Sequence, residues 1–85
     1  MTASVVAWPA LQRNLVAILR GITPDAIEAA VEALVEAGFE AIEVPLNSPD
    51  AFISIEKARR LAPENCLIGA GTVLEVAQVD RLKDV

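Results

Sequence analysis

A chain of 85 residues, 54% of them apolar, has room for one small domain and not for two. Its net charge of -5, without a basic cluster, leaves no electrostatic footprint for nucleic acid or an anionic membrane surface. No apolar run approaches the roughly 20 residues that cross a bilayer, and a lone cysteine, Cys66, cannot form an internal disulfide.

The N-terminus lacks the basic start and long apolar core of a secretory signal, so a soluble protein in the reducing cytoplasm is expected. Ahead of the first periodic element, Trp8 and Pro9 suggest a short leading helix or strap in which the tryptophan anchors packing. Leu15-Val16-Ala17-Ile18-Leu19 then forms a continuous apolar run ending in Arg20-Gly21, the pattern of a strand buried on both faces. Thr23 is a suitable N-cap, Pro24 suits the first helical position, and Asp25 suits the positive end of the helix dipole. Ile27, Val31 and Leu34 follow at helical spacing, and Gly38 supplies the stop.

A second strand is predicted over Ala41 to Leu46. Ser48-Pro49-Asp50 repeats the cap, proline and acid pattern before Phe52, Ile55, Arg59 and Ala62. Pro63-Glu64-Asn65 reads as a loop, Cys66 to Gly69 as a third strand, and Val76, Val79 and Leu82 as the apolar stripe of a third helix. The segments share an architecture without a residue-by-residue repeat. Alternating strands and helices imply an α/β fold with a parallel sheet and right-handed crossovers. A closed (β/α)8 barrel takes ~200 residues at the short end, so the choice lies between part of a barrel and a very small open sheet.

In parallel α/β proteins ligands bind beyond the carboxyl ends of the strands. Arg20, Glu43 and the Gly69-Ala70-Gly71-Thr72 stretch all fall there. Glu43 is the most informative of them. An ionised carboxylate inside Ala41-Ile42-Glu43-Val44 must be paired, face water at a sheet edge, or serve as an acid or base. Arg20 offers a planar bidentate fork for a carboxylate or phosphate, or else a structural ion pair with Glu43. Gly71 permits backbone to approach a small ligand and Thr72 adds a hydroxyl or backbone N–H, although an ordinary βα turn would use the same residues.

Other readings are weaker. The glycines fail the dinucleotide fingerprint because Leu74 occupies the third position. There is no histidine for a metal site, and Cys66 reads as a core residue. Both lysines, Lys57 and Lys83, fall on helices, while Glu28, Glu32 and Glu36 form a solvated acidic ridge.

Three segments in order, Val16 to Pro24, Ile42 to Pro49 and Ile68 to Leu74, give the chain a likeness that spans nearly everything from Leu15 to Val85. It resembles the amino-terminal part of the class I aldolases that cleave 2-dehydro-3-deoxy-6-phosphosugar acids. Within that family, Leu19-Arg20-Gly21 and Pro45-Leu46-Asn47-Ser48 resemble the phosphogalactonate branch more than the phosphogluconate branch, which tends to carry Thr-Leu-Arg after the glutamate.

The resemblance implies the amino-terminal three βα units of a TIM (β/α)8 barrel, usually trimeric, with neither metal nor cofactor. Its substrate would be a phosphorylated keto sugar acid, cleaved reversibly to pyruvate and glyceraldehyde 3-phosphate through a lysine Schiff base. Glu43 would then be the catalytic proton shuttle, Arg20 would bind substrate, and Gly71 and Thr72 would line the pyruvate end. The family's Schiff-base lysine lies on a later strand and its phosphate site in later loops, both beyond Val85. An incomplete stretch of a longer enzyme, inactive alone and prone to self-association, is therefore expected. The alternatives are the phosphogluconate branch, a barrel enzyme using Glu43 without an imine, and a non-catalytic αβ interaction module.

Overall fold

A computed structural model describes residues 15–85 as three βα units. The expected leading strap with Trp8 and Pro9 lies outside the described residues. The elements are β1 (Ala17–Ile18), α1 (Pro24–Glu36), β2 (Ala41–Pro45), α2 (Ala51–Leu61), β3 (Leu67–Gly71) and α3 (Val76–Leu82). The strands are parallel in the order β1-β2-β3, with Ile18 beside Glu43 and Glu43 beside Gly69.

Aligned residues of neighbouring parallel strands share a face, so this register sorts the sheet into two sides. Ile42 and Val44 are buried with Ile27 and Val31 of α1 and with Ala51, Ile55 and Ala58 of α2. Ala17, Leu19, Ile68, Ala70 and Leu82 pack on the same cluster. All three helices therefore contribute to a core on one face, and the strand order never reverses. This is the winding of a TIM-type barrel, in which helices form an outer layer, rather than of a doubly wound sheet.

The opposite face carries Val16, Ile18, Glu43, Leu67 and Gly69. Ile18 is 56% exposed and Leu67 41% exposed there, so β1 and β3 are covered on one side only among the described residues. β1 is also shorter than the five-residue apolar run, because only Ala17 and Ile18 pair with β2 before the chain turns away.

Local chemistry explains most of the boundaries. Gly38 adopts φ +95 and ends α1. Its N–H donates to the Val35 carbonyl at 3.0 Å, and the Phe39 N–H donates to Leu34 at 2.9 Å, the paired bonds of a Schellman motif. Thr23 takes the N-cap position of α1 in extended conformation, but its hydroxyl makes no cap bond. Ser48 does not cap α2. That helix starts at Ala51 after Asp50, which turns left-handed at φ 47, and the Ser48 hydroxyl accepts from the Gly21 amide.

Two further expectations change. β3 runs from Leu67 through Gly71, so Gly71 joins Gly69 as a strand residue and Cys66 falls just before the strand. The α3 stripe is present, but Val76 and Val79 are 79% and 46% exposed and only Leu82 reaches the core. The acidic ridge Glu28, Glu32 and Glu36 is exposed as expected.

One core atom is unsatisfied. Ser54 is fully buried on α2 and its Oγ has no hydrogen-bond partner among the described residues. Removing an orphaned buried hydroxyl relieves a desolvation penalty and also improves helix propensity. Ser54→Ala is expected to stabilise the fold by about 1 kcal/mol, read as a higher urea midpoint at unchanged m-value.

Candidate active site at the strand carboxyl ends

The sheet face left open among the described residues holds a groove of about 340 Å³ lined by Val16, Ala41, Glu43, Leu67 and Gly69 among others. Among the described residues, Glu43 is the one ionisable side chain in that lining. It is half-buried rather than buried, so part of the carboxylate meets solvent and part meets the sheet.

The part that meets the sheet rests on Gly71. A Cβ built on Gly71 would lie 2.1 Å from Glu43 Oε2 and 2.5 Å from its Cδ. Glu43 is paired with Gly69, whereas Gly71 is paired with Pro45, so the carboxylate slants two residues toward the carboxyl ends of the strands. Gly69 and Gly71 stand on the same face at alternating positions, but only the missing side chain of Gly71 makes room for the glutamate, since a Cβ on Gly69 would meet nothing within 4 Å. The sequence contains the signal for this arrangement, a Gly-x-Gly beside a strand glutamate, but only the register makes it readable.

Thr72 follows directly with φ +54. Left-handed backbone is rare for a β-branched residue and is held only where surrounding structure imposes it. Thr72 is exposed at the same rim.

Arg20 lies in an exposed turn after β1. The Ile22 N–H donates to the Leu19 carbonyl at 3.2 Å, and Gly21 has φ +76, which fits a type II turn with Arg20 and Gly21 at its centre. On one side of Arg20, the Leu19 N–H donates to the Glu43 carbonyl at 2.9 Å. On the other, the Gly21 N–H donates to Ser48 Oγ at 3.0 Å. Ser48 is 5% exposed and reaches across from the β2–α2 loop. No ion pair joins Arg20 to Glu43 among the described residues, which removes the structural pairing as an account of either.

The structure thus brings Glu43 and Gly71 into contact and sets Thr72 and the Arg20 turn at the same end of the sheet. The remaining candidates lie elsewhere. Lys57 is on the outer helical layer with Nζ donating to the Pro24 carbonyl at 3.4 Å, and Lys83 pairs with Asp80 at 3.3 Å. Cys66 is buried, and desolvation, with a smaller contribution from the Glu40 carboxylate, pushes its thiol above the usual range. No helix among the described residues is long and apolar enough to cross a membrane.

Known proteins are similar to this chain. A chain 62% identical over 80 residues is named a probable 2-dehydro-3-deoxy-6-phosphogalactonate aldolase of Rhizobium meliloti (strain 1021); the match covers 94% of this chain and 38% of that one. The 2-dehydro-3-deoxy-6-phosphogalactonate aldolase of Escherichia coli (strain K12) is 54% identical over 68 residues, 80% of this chain and 33% of its own.

Among solved structures, one described as native KDPGal superimposes with a TM-score of 0.85 at 48% identity, covering 93% of this chain and 38% of that one. A cube-shaped porous cage, designed by fusing symmetric oligomeric domains, gives a TM-score of 0.78 at 52% identity over 81% of this chain and 26% of the other. The chain therefore spans about a third of the length of the curated relatives it matches. Residues 10–85 match the family described as KDPG and KHG aldolase, and with three βα units of TIM-barrel winding behind that match, the chain belongs to this aldolase family.

Proposed function

We propose that these 85 residues are one partial domain, the front of a class I aldolase barrel that cleaves 2-dehydro-3-deoxy-6-phosphogalactonate to pyruvate and glyceraldehyde 3-phosphate. The carrying observation is Glu43, the one ionisable group among the described residues that line an apolar groove, held over Gly71 toward the strand carboxyl ends. The names of both curated relatives support the galactonate acid as substrate.

In this reading a strand lysine beyond Val85 attacks the C2 ketone and expels water to form an iminium. Breaking the C3–C4 bond sends its electron pair into that iminium, while the C4 hydroxyl loses its proton as glyceraldehyde 3-phosphate leaves. Protonation of the enamine at C3 and hydrolysis of the imine release pyruvate. Glu43 carries these protons through a water, Arg20 binds substrate, and Thr72 with Gly71 lines the pyruvate end. A cytoplasmic trimer completes the proposal; likeness to a component of a cage built from symmetric oligomeric domains supports an oligomer.

The test is intact mass after incubation with pyruvate and borohydride, which reduces an imine to a stable lysine adduct. The 85-residue chain is expected to remain unmodified, since Lys57 and Lys83 sit on the outer helices. A version completed with the remaining βα units of the Rhizobium meliloti relative is expected to gain one pyruvate-derived adduct and to turn over the galactonate acid faster than the gluconate acid. An adduct on Lys57 or Lys83, or a completed barrel that neither labels nor turns over, refutes the mechanism.

A further inference from the structure

We infer that Ser48 is a positioning residue for Arg20, acting through the Gly21 amide and not through contact with substrate. The inference rests on the proposed role of Arg20 as a substrate-binding group. Its structural basis is independent of the chemistry.

Arg20 has no ion-pair partner among the described residues and occupies an exposed turn, where a long side chain on a mobile backbone would aim poorly. Two hydrogen bonds bracket it. The Leu19 N–H reaches the Glu43 carbonyl and the Gly21 N–H reaches Ser48 Oγ, so both neighbours of Arg20 are tied to the segment that also carries the carboxylate. The backbone on both sides of Arg20 is thereby tied to one stretch, residues 43–48.

The geometry requires a short hydroxyl at this position. In a turn of this type the amide of the third residue points outward and is left without an internal partner, so a group from outside must accept it. Ser48 supplies that acceptor from a buried position, where competing water is largely excluded. Ser48 is not the cap of α2, whose N-cap position is taken by Asp50 in left-handed conformation. A polar side chain spent on a contact 27 residues away in sequence is a feature of the site's rim rather than of local folding.

Ser48→Ala and Ser48→Thr in the completed barrel test this with two readouts. In Ser48→Ala the Gly21 amide is expected to exchange at least about tenfold faster, with the Leu46 amide, bonded to Gly71 at 2.8 Å, as an internal reference that stays unchanged. KM for the phosphosugar acid is expected to rise about tenfold with kcat within about twofold, and Ser48→Thr, which keeps the hydroxyl, is expected to restore both. Unchanged Gly21 exchange overturns the inference whatever happens to KM, because Ser48 would then act on substrate or not at all. Faster exchange with unchanged KM overturns it as well. Should the completed barrel show no aldolase activity, the functional reading fails separately, and KM is replaced by the salt-sensitive binding of pyruvate followed by calorimetry; loss of that binding in Ser48→Ala and its return in Ser48→Thr sustain the inference, and equal binding in all three ends it.

Discussion

Glu43→Gln in the completed barrel is expected to lower kcat by about 10²- to 10⁴-fold, the range over which a positioned acid or base contributes to proton transfer. The substitution keeps the side chain's length and shape, so the amide should still lie over Gly71 in the groove. What it loses is the ability to take and return a proton. Steady-state turnover gives the loss in kcat, and the pyruvate-borohydride adduct gives a second, separable reading. If Glu43 serves imine formation as well as bond cleavage, adduct formation slows along with turnover. Normal adduct formation with slow turnover would confine Glu43 to the cleavage step. Unchanged kcat would remove Glu43 from the mechanism altogether.

Gly71→Ala is the second large effect, and it arises by displacement. The added methyl would lie 2.1 Å from Glu43 Oε2, far inside van der Waals contact, while the Gly71 backbone itself is in a conformation open to alanine. The atom that must yield is the end of a flexible side chain, so the fold survives and the carboxylate moves. A shift of about 1 Å in a reacting group can cost about 10²-fold, and kcat/KM is expected to fall by that order while the melting temperature stays within about 4 °C of the parent. In a Glu43→Gln background, Gly71→Ala should add little, because the group it displaces has already lost its function. Additive losses in that double variant would show that Gly71 acts on substrate directly.

The parts of the structure that could be read in the sequence are those determined within a few residues. Gly38 after a helical stripe, Pro24 at a helix start and the apolar run of β2 each carry their own physical cause, so the βα order and the one-sided helical core follow from them. Arg20 and Thr72 follow their strands by the same logic, whereas Glu43 is the central residue of β2 and reaches the carboxyl end only through its side chain.

What depends on register was not legible. Ser48 carries all the local marks of a helix cap, yet its acceptor is taken by an amide 27 residues earlier. Gly71 looks like a turn glycine until pairing puts it next to Pro45 and under the Glu43 side chain. Likewise the apolar run at β1 cannot tell which of its faces will be covered, since Ala17 packs on the helices while Ile18 does not.

Thr72 bears on how this protein would respond to selection for stability. Its left-handed backbone costs a non-glycine residue roughly 1–2 kcal/mol, and glycine would hold φ +54 without that penalty. A screen that rewards only thermal resistance should therefore favour Thr72→Gly early. It would do so at the rim beside Gly71, erasing the hydroxyl assigned to the pyruvate end. Improvement in robustness and decline in turnover are thus linked at a single codon, and variants sought for durability are better drawn from buried positions of the helical layer such as Ser54.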